Sequence, residues 1–150
     1  MNIELRRIRY RPDSIDGQIW IDGEKICSSA ENANHCLKPG TYQVKVGKCS
    51  KHARRMPIVL TDKPPACDTC PRLMYVGNNT SMPVFCPQLC PGNGAYNRTD
   101  GAILLGQYIA PGCLKHPKET FDYLYQRIRK SAERGHDITL TITRFNLLTH

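Results

Sequence analysis

The sequence predicts an α+β domain dominated by strands, with a mixed or antiparallel, barrel-like sheet and one amphipathic helix near the C-terminus. Short runs of alternating apolar and polar residues recur along the chain, and an Asp-Gly pair separates two of them. One stretch with helical spacing precedes a final alternating run. With 150 residues, 40% hydrophobic and 23% charged, residues 1–150 are expected to form a single domain.

The first third of the chain is predicted to form strands joined by tight turns. An alternation that starts at Ile3 slips by one residue before Tyr10, which predicts a first strand with a bulge. Asp22-Gly23 lies between two strand-like runs and predicts a type I′ hairpin. The run from Thr41 to Val46 alternates strictly, so one face of that strand is expected to be buried.

The middle of the chain is predicted to combine short strands with long loops. Apolar runs at 57–60, 73–76 and 102–105 indicate strands. The segments at about 61–71 and 77–101 are rich in Cys, Pro and Gly, which excludes a continuous helix and predicts loops. Loops of that length in one domain are usually functional, pinned by a metal or mobile.

The last part of the chain predicts a helix at about 117–134 and a closing strand. Pro117 suits the first helical turn, and Gly135 ends the pattern. Apolar residues at three- and four-residue spacing form one stripe, namely Phe121, Leu124, Tyr125, Ile128 and Ala132. Ile138, Leu140 and Ile142 then alternate with threonines, as in a half-buried strand.

The charge balance is basic, with 21 Lys and Arg against 13 Asp and Glu and a formal net charge of +8. Such a charge attracts polyanions such as nucleic acid, although solvated faces that keep the protein soluble give the same count. The arginines of the opening strand have few aromatic neighbours in sequence, so no stacking platform for nucleic acid is expected. No apolar run reaches the roughly 7–15 residues of a signal peptide or the roughly 18 of a membrane span. A cytoplasmic location is expected, with a virion or signal-independent release as alternatives.

Eight cysteines are present, and four of them have a spacing close to that of a structural zinc site. Cys67-x2-Cys70 is followed after fifteen residues by Cys86-x3-Cys90. Four thiolates on two turns can supply the tetrahedral ligands that Zn²⁺ requires. Disulfides and buried free thiols are alternatives that the spacing leaves open. No other cofactor is predicted.

The order of motifs adds a family resemblance that spans about Ile3 to Ile142. Gly-x-Ile-Trp-Ile-Asp-Gly, Leu-Lys-Pro-Gly-Thr-Tyr-x-Val, Cys-Pro-Gly-Asn and Thr-Asp-Gly-Ala-Ile-Leu-Leu-Gly follow one another before the closing helix. This order resembles a small family of unknown function in bacteria and phages. That family is distantly similar to the L,D-transpeptidases that crosslink peptidoglycan.

The resemblance also points to a site. The family pattern usually has His-x-Gly-Asn on one strand and Gly-Cys-Ile-Leu-x-Gly on the next, and the matching positions here are Cys90 and Ala102. Alanine supplies no nucleophile and a thiol is not a near-neutral base, so the implied catalytic chemistry is missing. What the resemblance leaves is a groove for a ligand, lined by Cys90, Asn93, Arg98, Asp100, Gly101 and Ala102.

The leading expectation is therefore a non-catalytic relative of the transpeptidase-like fold, associated with a phage or mobile element. It would act by binding a cell-wall peptide, a glycan or a protein partner. A first alternative is a thiol enzyme that acts on peptidoglycan through a relocated cysteine (Cys86, Cys90 or Cys113), with His116 or another histidine close in space as its base. A second alternative is a polyanion-binding or virion structural protein, which would use the +8 charge.

Overall fold

Strands make up most of the chain, as expected for a mostly β, α+β protein. The computed structural model describes residues 1–49, 54–61, 73–76, 80–83 and 86–145. In those ranges the elements are β1 (Asn2–Tyr10), β2 (Ser14–Ile21), β3 (Glu24–Asn32), β4 (Gly40–Cys49), β5 (Arg54–Val59), β6 (Leu73–Val76), β7 (Thr80–Pro83), β8 (Leu89–Pro91), β9 (Ile103–Ala110), β10 (Cys113–Lys115), α1 (Pro117–Glu133) and β11 (Ile138–Arg144).

The main sheet is mixed and nearly closes into a barrel. Its strand order is β10-β9-β3-β2-β1-β11-β4-β5, with β8 paired to β9, whereas β6 and β7 form a separate two-stranded sheet. The β1–β11 and β8–β9 pairs are parallel, and the other pairs are antiparallel. A bridge between Ile58 and Gln88 brings β5 against β8. The amide of Val59 adds a hydrogen bond of 2.9 Å to the carbonyl of Pro87, so the two ends of the sheet meet there.

Two local predictions in the first strands are confirmed. Asp22 and Gly23 have φ values of 51° and 82°, the left-handed pair that a type I′ turn requires. The pairing of β1 with β2 shifts between Arg7 and Arg9, so the slip in the alternation marks a bulge.

The core lies inside the curved sheet and beneath the helix. Most inward-facing side chains of β1, β2, β4 and β11 are apolar, and burying these side chains together supplies the main favourable free energy of folding. The residues with no exposed surface include Ile3, Leu5, Ile19, Leu89, Ile103, Leu104, Leu105, Leu124, Ile128 and Leu140.

The helix has the predicted start and end. Pro117 occupies its first turn, and the backbone of Gly135, with φ 75°, ends it in a Schellman turn in which the His136 amide donates to the Ser131 carbonyl. The buried stripe continues from Ile128 to Ser131 and leaves Ala132 exposed, contrary to the prediction. Positions three and four residues after Ile128 lie on the same helix face, so the apolar pattern does not distinguish Ser131 from Ala132. Among the described residues there is no helix whose length and hydropathy suit a bilayer.

The predicted loop at 77–101 is wrong in part, because β7 and β8 lie within it. Strand β8 has only three residues and lies between Pro87 and Gly92, so no alternation is visible in its sequence. It becomes a strand through its pairing with the buried start of β9. Of the predicted loop at 61–71, all but Thr61 lies outside the described residues.

Candidate functional site

The positions matched to the transpeptidase pattern meet where β8 and β9 run in parallel. Cys90 is in register with Leu104, and Ala102 lies two residues before Leu104, immediately ahead of β9. In a sheet, diagonal neighbours at this spacing lie on the same side. Gly101 has a φ of 85°, a conformation that favours glycine, and it turns the chain from Asp100 into β9.

A polar cluster surrounds these positions, and its centre is a guanidinium. Nη2 of Arg98 donates to Oδ2 of Asp100 at 3.1 Å and lies 3.8 Å from the sulfur of Cys90. Oδ1 of Asp100 accepts a hydrogen bond of 3.2 Å from the amide of Ala102. These four residues, Cys90, Arg98, Asp100 and Ala102, are called the Arg98 cluster below.

The Arg98 cluster is closed on its inner side and open only at Arg98. Cys90 and Ala102 are 0% and 2% exposed, whereas the Arg98 side chain is 22% exposed. Burial lowers the pKa of Arg98, but Cys90 and Asp100 raise it, and the net shift is upward. Arg98 is therefore a permanent cation that is paired with a carboxylate and is partly exposed to solvent.

Asn93 and Gly92 shape the loop that leads from β8 to the Arg98 cluster. Nδ2 of Asn93 donates to the carbonyl of Leu114 at 3.2 Å, and the amide of Leu114 donates back to the Asn93 carbonyl at 2.7 Å. These two hydrogen bonds fix the loop on β10, so the side-chain amide of Asn93 holds the loop in position. A Cβ on Gly92 would lie 2.7 Å from the Leu104 side chain, which explains the glycine there.

The predicted zinc ligands are only partly described. Cys67 and Cys70 lie outside the described residues. Cys86 and Cys90 are both buried near the start of β8, where the Cys86 amide donates to the Asp100 carbonyl at 2.9 Å. Within the ranges that the structure describes, no three His, Cys, Asp or Glu side chains gather as metal ligands would. A site made by all four cysteines stays a prediction.

Arginines of β1 lie over aromatic rings of other strands, and these contacts were absent from the sequence-based predictions. The guanidinium of Arg6 lies 4.1 Å from the Trp20 ring centroid, and that of Arg9 lies 5.2 Å from the centroid of Tyr108. The rings come from β2 and β9, so the neighbours of an arginine along its own strand do not reveal them. Only the strand order and register would have predicted these contacts.

A buried ion pair was also absent from the sequence-based predictions. Nε and Nη2 of Arg7 donate to the two carboxylate oxygens of Glu31 at 3.0 and 2.7 Å, and Nη2 also donates to the Leu37 carbonyl at 2.7 Å. The Arg7 and Glu31 side chains are 2% and 0% exposed. The sequence contained one signal for this pair, because Arg7 occupies an inward-facing position in the alternation of β1. The pair joins β1 to β3 across β2 and belongs to the scaffold.

Comparisons of this chain with protein-family models, with curated proteins and with solved structures give no match. The resemblance to the L,D-transpeptidases therefore stays a prediction.

Proposed function

We propose that this chain is a non-catalytic binding domain of the transpeptidase-like fold, and that it recognises a carboxylate of a cell-wall peptide through Arg98. The observation that supports this proposal is that the Arg98 guanidinium is held by neighbouring side chains and is still partly exposed. Asp100 and Cys90 hold one side of it in place, and the side chain still exposes 22% of its surface. A positioned guanidinium presents paired donors that match a carboxylate, and the stem peptides of peptidoglycan carry carboxylates.

The residues at the matched positions support the non-catalytic part of the proposal. Ala102 supplies no nucleophile at the position where the family pattern has cysteine. Cys90 has a guanidinium within 3.8 Å, a contact that supports the thiol-enzyme alternative. Reactive cysteines are partly exposed, however, and Cys90 is 0% exposed, so a substrate has no access to its sulfur.

Calorimetric titration with purified muropeptides tests the proposal. We expect the wild type to bind, and Arg98→Gln to lose at least about tenfold in affinity, because it removes a charged donor pair. Arg98→Lys keeps the charge without the fork and should lose less. Arg129→Gln, an equal change of charge at an exposed helical position, should bind within about twofold of the wild type.

Two results would contradict the proposal. The first is a folded wild-type protein that binds no muropeptide, or a folded Arg98→Gln variant that binds as well as the wild type. The second is turnover of muropeptides, detected by mass spectrometry and abolished by Cys90→Ala, which would establish the thiol enzyme instead. Iodoacetamide labelling of the native protein gives an independent check, since a buried Cys90 should stay unlabelled at neutral pH.

A further inference from the structure

One side of helix α1 carries a row of three cations that begins beside an aromatic ring. Tyr123, Arg127, Lys130 and Arg134 follow one another at four-, three- and four-residue steps, so their side chains lie along one side of the helix. At about 1.5 Å per residue, the cations extend over about 10 Å, and the tyrosine precedes them by about 6 Å. These four residues are called the α1 flank below.

The α1 flank faces away from the core. Tyr123 comes two residues after the buried Phe121, and Lys130 comes two residues after the buried Ile128. Two residues correspond to about 200° around the helix axis, so both side chains lie opposite the packed face. Arg134, the last member, is also exposed. A ligand can therefore reach the flank without any change in the fold.

Arg127 and Arg134 differ from the other arginines in having no partner for the guanidinium. Within the described ranges, six other arginines pair with a carboxylate. Arg55 donates to a carbonyl at 3.0 Å, and the guanidinium groups of Arg9 and Arg144 lie over tyrosine rings. The two guanidinium groups that the described part of the chain leaves unengaged thus lie on the same side of one helix.

The carboxylates nearest to the α1 flank along the helix leave most of its charge uncompensated. Glu133 comes three residues after Lys130, but it pairs with Arg129 at 3.7 Å. Glu119 lies in the first turn, about 12 Å along the helix from Arg127, which exceeds the screening length of about 10 Å in 0.1 M salt. The free carbonyls at the helix C-terminus add about half a negative charge, which is small beside three cations.

Tyr123 carries an aromatic ring that no other described group engages, and it is 55% exposed. The other exposed tyrosines each have a partner: Tyr10 has Arg144, Tyr108 has Arg9, and Tyr96 has the Pro111 carbonyl. No guanidinium covers the Tyr123 ring, so the ring is available to a planar group from outside the protein.

We propose that the α1 flank binds single-stranded nucleic acid. The phosphates would contact Arg127, Lys130 and Arg134, and one base would stack on Tyr123. A row of cations suits a linear polyanion, because a chain of phosphates can contact all three at once. The available ring favours a strand with unpaired bases, since a duplex hides its base faces and a lipid surface has none. The α1 flank shares no residue with the Arg98 cluster, so this proposal does not depend on recognition of a cell-wall peptide.

Fluorescence anisotropy with a labelled oligothymidylate of about 15 nucleotides, a length suited to one small site, tests this proposal. Three phosphate contacts predict a slope of about −2 for log K against log salt concentration. Arg127→Gln and Arg134→Gln should each reduce the steepness of the slope by about 0.7, whereas Arg127→Lys should keep it. Tyr123→Ala should weaken binding at least about fivefold, and Tyr123→Phe, which keeps the ring, should bind like the wild type.

Two matched controls lie off the α1 flank. Arg129→Gln makes the same change of charge two residues from Arg127, on another side of the helix. Tyr108→Ala removes a tyrosine of β9 that is 39% exposed. Both should bind like the wild type, and thermal melts should show that every variant is folded.

Several results would overturn the proposal. The first is absence of oligonucleotide binding at low salt, and the second is a loss in the controls equal to that in the flank variants. A duplex of the same length that binds as tightly, with no effect of Tyr123→Ala, would show a general attraction to polyanions instead. Binding of vesicles with anionic lipid in place of the oligonucleotide would assign the flank to a membrane surface.

Discussion

Replacing Arg7 by methionine should lower the free energy of unfolding more than the loss of any surface arginine. The Arg7 and Glu31 side chains are 2% and 0% exposed, and two hydrogen bonds of 3.0 and 2.7 Å join them. Arg7→Met leaves a buried carboxyl without its counter-charge and the Leu37 carbonyl without its donor. Breaking a buried pair in this way costs about 3–5 kcal/mol of unfolding free energy.

The loss of unfolding free energy caused by Arg7→Met should depend on pH. Burial raises the pKa of Glu31 and Arg7 lowers it, with burial prevailing, so removal of Arg7 raises that pKa further. A carboxyl whose folded pKa exceeds its unfolded pKa favours the folded state most in acid and loses that contribution as pH rises through the folded value. The difference between Arg7→Met and the wild type should therefore be larger at pH 8 than at pH 5.

Urea denaturation of four proteins measures these effects. Beside the wild type and Arg7→Met, the double variant Arg7→Met with Glu31→Leu removes both charges and should lie within about 1 kcal/mol of the wild type. Arg129→Met, which breaks an exposed pair with Glu133 at 3.7 Å, should cost no more than about 0.5 kcal/mol. The reasoning is refuted if the double variant is as unstable as Arg7→Met, or if Arg7→Met costs less than about 1 kcal/mol.

Two further predictions concern the sheet interior. Gly17→Ala should cost about 1–3 kcal/mol by urea denaturation, because its Cβ would lie 2.6 Å from Oγ of Ser29 and 3.0 Å from a backbone oxygen. Gly94→Ala, whose Cβ would meet its nearest atom at 4.0 Å, is the control and should cost far less. Burial raises the pKa of Cys27 to about 12, so peptide mapping should find it unlabelled by iodoacetamide at pH 8. Rapid labelling of Cys27 in the native protein would contradict the burial of its side chain.

Local signals in the sequence were sufficient for much of the fold. The Asp22-Gly23 turn, the bulge before Arg9 and the helix that starts at Pro117 each depend on neighbouring residues, and each is present. Strand β8 was missed because three residues beside prolines show no periodicity, and only its partner β9 makes it a strand.

In the candidate site, too, contacts between sequence neighbours could be predicted, whereas features that depend on distant strands could not. The short separation of Arg98, Asp100 and Ala102 in sequence agrees with their contacts, and the resemblance directed attention to Cys90. The burial of Cys90 was not visible, since it depends on the packing of the strands around it. The stacked arginines were missed for a related reason, because contacts such as that of Arg9 with Tyr108 form between distant strands.

The parallel pairing of β1 with β11 has a consequence for how the chain reaches its native state. Strand β1 occupies a central place in the sheet, and one of its two edges is completed by residues 139–144. On a ribosome, that edge stays unpaired until synthesis has passed Arg144. The whole intervening chain must then be looped back to close it, an arrangement of high contact order that folds slowly. Cotranslational folding should therefore stop at a partly formed sheet in which the edge of β1 is exposed.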